Sequence, residues 1–146
     1  MENNLEQSIS YIKSHTDDKP RLGVILGSGL GAFADRLNPS VKIATKDIPF
    51  FPKSTVQGHQ GYLVFGGWQG VNVTALQGRT HHYEGYGLDK VTYVVRIFKS
   101  LGVRILIITN AAGGLNPLFS PNVAASTFPR LFIFNPKRAD KSFSVK

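Results

Sequence analysis

The chain has 146 residues, 42% of them hydrophobic, with 15 glycines, no cysteine and a formal net charge of +8. That is the length of one domain, enough to bury about 70% of the unfolded surface in an ordinary α/β core, and the lack of cysteine excludes disulfides and thiolate metal sites. No apolar run approaches the ~18 residues of a membrane span, and the start Met1-Glu2-Asn3-Asn4-Leu5-Glu6 is polar and acidic, unlike a secretory leader, so a cytoplasmic location is expected.

The positive charge is unevenly placed. Residues 1–121 hold 12 Lys/Arg against 8 Asp/Glu, whereas residues 122–146 hold 5 against 1, so the short tail supplies half of the excess. In the body the cations are scattered, without the basic stripe and interleaved aromatics of a nucleic-acid groove, and a solvated surface is the better account of them. Nucleic acid is therefore not an expected partner of the body.

Taken in chain order, Leu5, Ile9, Tyr11 and Ile12 have helical spacing and predict an amphipathic helix over 4–15, ending before Asp17-Asp18-Lys19-Pro20. Leu22 to Leu26 is short and apolar without alternation, as in a strand covered on both faces. It runs into Gly27-Ser28-Gly29-Leu30-Gly31, and the spacing predicts a helix from Ala32 to Leu37. Strand, glycine turn, helix is an arrangement whose free backbone amides and helix N-terminus hold anions, with Ser28 adding a hydroxyl. The glycine spacing fits neither a dinucleotide fold nor a P-loop, and a tight turn without any ligand explains it equally well.

Val41 to Ala44 reads as a short strand, and Asp47 to Lys53 as a proline-fixed connection. His59 sits between Gly58 and Gly61, ahead of a strand over Tyr62 to Gly66, and Trp68-Gln69-Gly70 reads as the turn into a further strand, Val71 to Leu76. That strand ends in Gln77-Gly78-Arg79-Thr80-His81-His82-Tyr83-Glu84-Gly85-Tyr86, which concentrates an arginine, two histidines, a carboxylate and two phenols. Arginine presents a planar fork of donors suited to phosphate, and histidine exchanges protons near neutral pH. A polar hairpin loop is the bland alternative. Leu88 to Leu101 has the spacing of a helix with one buried face, stopped by Gly102. Val103 to Ile108 is the strongest strand, β-branched and continuous, expected to be parallel and at the sheet centre. It leads into Thr109-Asn110-Ala111-Ala112-Gly113-Gly114-Leu115-Asn116-Pro117.

Residues 27–31, 77–86 and 109–114 thus each follow a strand and carry amides, hydroxyls or cations that an oxyanion needs. In open α/β sheets such loops share the carboxyl edge, where ligands bind.

These motifs, together with Val56-Gln57-Gly58-His59-Gln60-Gly61, resemble in order and spacing the N-terminal half of the trimeric purine nucleoside phosphorylases, over about residues 5–121. Methylthioadenosine phosphorylases share the fold but not the Tyr83-Glu84-Gly85-Tyr86 segment, and rank second. The resemblance implies an α/β fold with a mixed central sheet flanked by helices. It implies phosphorolysis of purine (deoxy)ribonucleosides, with inorganic phosphate as co-substrate, no metal or organic cofactor, and a homotrimer for full-length members. The matching positions are Ser28, His59, Arg79, His81 and Ala111 for phosphate, Tyr83 for ribose and Asn110 beside the pocket; His81 and Glu84 fall nearest the catalytic role.

After Ser120-Pro121 the resemblance stops. Family members are nearly twice as long, and their purine-holding glutamate and asparagine lie in the other half. Residues 122–146 read as a disordered basic tail of different origin, such as a frameshift, a retained intron or an alternative exon. Made alone, such a chain is expected to fold poorly and to have little or no phosphorolytic activity. A non-catalytic phosphate-binding fragment is the competing reading, and a basic tail that binds nucleic acid or an acidic surface is a third.

Overall fold

A computed structural model describes residues 2–53, 61–110 and 131–133. The elements are α1 (Glu2–Lys13), β1 (Leu22–Leu26), a 3-10 helix (Gly31–Arg36), β2 (Ser40–Ala44), β3 (Tyr62–Trp68), β4 (Val71–Gln77), α2 (Leu88–Val91), α3 (Tyr93–Ser100), β5 (Ile105–Ile108) and β6 (Leu131–Ile133), with single 3-10 turns at Thr45–Asp47 and His82–Glu84. The strands form one mixed sheet in the order β2-β3-β4-β1-β5-β6. β4 and β5 flank β1 in parallel, whereas β2–β3, β3–β4 and β5–β6 are antiparallel. The mixed α/β sheet expected from the sequence is present.

β1 shows why an unalternating apolar strand belongs in the middle. Ile25 enters a core covered by α1 and α3, where Ile12, Phe65, Ile97 and Phe98 are buried. Val24 and Leu26 face the other way, into a second core with Ala34 and Leu37 from the 3-10 segment and Val64, Val73 and Ala75 of the neighbouring strands. Both faces are dry, and at about 25 cal/mol per Å² of apolar surface this burial is the main force holding the sheet to its covers. The apolar helical stripe of α1 behaves as its spacing predicts, with Ile12 fully buried and Leu5 and Ile9 packed against the same core.

Four expectations are corrected. The segment after the glycine turn is a 3-10 helix over Gly31–Arg36 rather than an α-helix over 32–37. Its i→i+3 bonds, Phe33 N–H to Leu30 O and Leu37 N–H to Ala34 O, suit a piece too short to propagate an α-helix. The helix expected over 88–101 is two helices broken at Thr92, whose hydroxyl bonds the Leu88 carbonyl at 2.7 Å beside the Thr92 amide at 2.9 Å, a back-bond of the kind that bends helices. The strand predicted as central, β5, is parallel but lies outside β1, and Ile105 and Ile108 remain 41% and 39% exposed. Lastly, three residues of the tail expected to be disordered, Leu131–Ile133, pair with β5 in the register Ile107↔Leu131 to Ile105↔Ile133; the apolar run Leu131-Phe132-Ile133 has the composition of a strand. The rest of the tail lies outside the described residues.

The hairpin between β3 and β4 turns on Gln69 and Gly70, both at positive φ (48° and 79°), a mirror-image turn that matches strand twist, and Trp68 belongs to β3. Gly102 ends α3 at φ 95°, with Gly102 N–H bonding Lys99 O and Val103 N–H bonding Phe98 O, the paired bonds of a Schellman cap. Among the described residues no helix is long and apolar enough to cross a membrane.

Candidate functional site

Because β1 and β4 run parallel with Leu26 opposite Gln77, the loops that follow them leave the sheet side by side. Between them lies a cavity of about 450 Å³, lined from β1 and its turn by Leu26, Gly27, Ser28, Gly29 and Gly31, and from β4 and its loop by Gln77, Gly78, Arg79 and His81. Asp35, Lys42 and Tyr62 complete the wall. Two of the three predicted loops therefore converge on one space.

The third loop reaches it through Gly27. Its N–H donates to Thr109 Oγ1 at 2.8 Å, and Thr109 in turn bonds the Ile25 carbonyl through both its amide (3.0 Å) and its hydroxyl (3.1 Å). A Cβ at Gly27 would stand 2.5 Å from Thr109 O and 2.8 Å from Asn110 Cα, so only glycine permits this approach. One expectation changes here. The Gly27 amide is engaged by Thr109 and the Leu30 amide by Gly27 O, so the turn has the amides of Ser28 and Gly29 and the Ser28 hydroxyl to offer a ligand.

On the other wall, His81 and His82 have different fates. His82 pairs through Nδ1 with the Tyr86 carbonyl at 2.8 Å and faces solvent, whereas His81 lines the cavity. His81 is fixed at its backbone, its N–H donating to Glu84 Oε1 at 2.7 Å and its carbonyl accepting from Glu84 N–H at 3.1 Å. Tyr83 stacks on the His81 ring, 4.7 Å between centroids and 15° from parallel, yet is 76% exposed. The Tyr86 hydroxyl ties the far end of this loop to the Lys53 carbonyl at 2.7 Å.

Of the predicted site residues, Ser28, Arg79 and His81 share the cavity, Glu84 and Tyr83 support His81, and Asn110 is exposed beside Gly27. His59 and Ala111 lie outside the described residues. The motifs did not single out Lys42, Asp35 and Tyr62, nor give Gln77 a role. Gln77 donates from Nε2 to the Gly31 carbonyl at 3.1 Å and so straps the glycine turn to β4. The pairing of β2 with β3, and of Tyr62 with Gln77, brings Lys42 and Tyr62 to the same place, and the 3-10 helix after the glycine turn brings Asp35, a proximity that single-residue chemistry does not announce.

Chemically, the wall offers a guanidinium, an ammonium, an imidazole and a serine hydroxyl against one carboxylate. That balance suits an anion with several oxygen acceptors.

The sequence profile of the phosphorylase superfamily matches residues 21–123. The chain belongs to the phosphorylase superfamily. The superfamily chain is 52% identical over 119 residues to purine nucleoside phosphorylase 1 of Bacillus subtilis, covering 82% of this chain and 44% of that protein. Its structure is similar to isoform 2 of the Schistosoma mansoni purine nucleoside phosphorylase in complex with cytosine and ribose 1-phosphate, with a TM-score of 0.73 and 43% identity over 79% of this chain and 40% of that one. It is comparably similar to a Schistosoma mansoni purine nucleoside phosphorylase in complex with inosine, with a TM-score of 0.72 and 42% identity over 81% and 41% of the two chains. The chain thus spans under half the length of these relatives.

Proposed function

We propose that the cavity is the phosphate and ribose wall of a purine nucleoside phosphorylase, acting in phosphorolysis of purine nucleosides. The observation that carries this reading is the meeting of Ser28, Arg79 and His81 on one cavity at the carboxyl edge of parallel strands. The reading is supported by relatives that bear the enzyme's name and by a neighbour that holds ribose 1-phosphate.

In that reaction an oxygen of inorganic phosphate bonds to C1′ as the C1′–N9 bond breaks. The bonding pair leaves with the purine, which then takes up a proton. Arg79 clamps the phosphate as a two-pronged donor, Ser28 and His81 fix its remaining oxygens, and the anion faces the sugar as positive charge develops on it. Glu84 sets the position of His81 through the backbone. Tyr83, stacked on that ring, presents its phenol to the ribose. His59, Ala111 and Asn110 are assigned by the resemblance to the same region. No metal or organic cofactor is part of the scheme. The purine is assigned to residues in the family's other half, and assembly with further copies, a trimer in the full-length family, and a cytoplasmic role in purine salvage belong to the same proposal.

Titration calorimetry of the 146-residue chain with inorganic phosphate tests the anion site. Saturable binding is expected, weakened at least about tenfold in Arg79→Met, a loss typical of a charge-assisted bidentate contact. Equal binding by parent and variant sinks the assignment. Release of hypoxanthine from inosine by this chain is expected at least about 100-fold below that of full-length relatives, because the purine-side donors are supplied elsewhere in the family fold.

A further inference from the structure

The cavity holds a second cation that belongs to none of the motifs. Lys42 lies on β2 with its Nζ 2.9 Å from Asp35 Oδ1, and the same ammonium sits 5.3 Å from the centre of the Tyr62 ring. All three side chains line the cavity that contains Ser28, Arg79 and His81. The pair is solvent-accessible, with 43% and 57% of the two side chains exposed. Exposed ion pairs of this kind contribute little to stability, because water already serves both charges well. The arrangement therefore has little structural value, yet it holds a flexible ammonium at the rim of an anion cavity.

We propose that Lys42 is an auxiliary phosphate-binding residue, parked on Asp35 until an anion enters. The inference rests on the anion reading of the cavity. An ammonium has three donors on a flexible four-carbon stem, and the Asp35 contact engages one of them. A phosphate dianion held by Arg79 carries twice the charge of the Asp35 carboxylate and several acceptor oxygens, so it competes with Asp35 for Lys42. The Tyr62 ring face provides the ammonium with a weakly attractive surface between the two partners. Asp35 then has the opposite effect to Lys42: it holds the lysine back and repels the incoming anion.

The two members of the pair therefore differ in sign. Lys42→Gln is expected to weaken inorganic phosphate binding about three- to tenfold and to flatten its salt dependence, while Asp35→Asn is expected to strengthen binding about two- to fivefold, magnitudes set by partly screened charges. Lys42→Arg keeps the charge and should bind close to the parent. A merely structural pair predicts the same small change from either substitution.

Calorimetric titration of the parent and the three variants with inorganic phosphate at two ionic strengths decides the matter, with thermal melts to verify folding. Should Lys42→Gln fail to fold, Asp35→Asn and Lys42→Arg still carry the sign test. If the parent binds phosphate and Lys42→Gln and Asp35→Asn leave affinity unchanged or move it in one direction, the inference is overturned and the anion site stands. If the parent does not bind phosphate, both are overturned together.

Discussion

Gly27 separates two reasons why a glycine can be irreplaceable. Its backbone is outside the left-handed region, so alanine there incurs no torsional penalty; the obstacle is the Thr109 carbonyl 2.5 Å from the new Cβ and Asn110 Cα at 2.8 Å. Both neighbours are backbone, so one of two adjacent strand ends must move. Overpacking of this kind costs about 1–3 kcal/mol, and losing the Gly27–Thr109 bond adds about 1, for a total of roughly 2–4 kcal/mol. For a domain of this size that is a fall in melting temperature of roughly 6–13 °C. Gly29 is the contrasting case, with φ 83° and open space for 4 Å around the place a Cβ would occupy. Gly29→Ala should cost only the left-handed backbone penalty of about 1–2 kcal/mol. Thermal denaturation followed by circular dichroism measures both, and phosphate titration of Gly27→Ala should show lost affinity as the turn bearing Ser28 shifts. If Gly27→Ala melts with the parent, or no lower than Gly29→Ala, the close approach of the first and third loops is not what holds the site.

Two further substitutions probe the frame. Ser8 is fully buried between α1, the Pro49 carbonyl and Tyr93, its Oγ 2.8 Å from the Tyr93 hydroxyl and 3.0 Å from the Asn4 carbonyl, so Ser8→Ala strands buried polar groups and is expected to cost about 1–3 kcal/mol in urea denaturation. Gln69, at φ 48° in a two-residue hairpin turn followed by Gly70, should be improved by Gln69→Asn, which tolerates that conformation better; a gain of about 0.5 kcal/mol in the same assay is expected, and a loss would contradict the turn geometry.

The sequence announces those parts of the fold in which one residue's chemistry suffices. Leu22 to Leu26 has no polar face, and every residue of β1 but the first is buried, so its bounds are legible. Gly70 and Gly102 mark a turn and a helix end because each needs a positive φ. Thr92 is different, since its back-bond to Leu88 is one of several options for a helical threonine. The site divides in the same way. Ser28, Arg79 and His81 advertise themselves through charge, hydroxyl and glycine context. Lys42 and Asp35 look like any surface charges until β2 pairs with β3 and the 3-10 helix sets Asp35 against Lys42, and Ser8 looks like an ordinary helical serine until Tyr93 arrives from 85 residues away.

The central place of β1 also fixes the order in which the molecule can be put together. It is made first among the strands, yet its partners are β4 and β5, and Gly27 meets Thr109 only 82 residues later. Contacts so distant in sequence close slowly, because the loop entropy is lost before the pairing is gained. The hairpin of β3 and β4 can form locally and wait. The Gly27–Thr109 contact cannot form until β5 docks, so on a ribosome the glycine turn would emerge early and be fixed late.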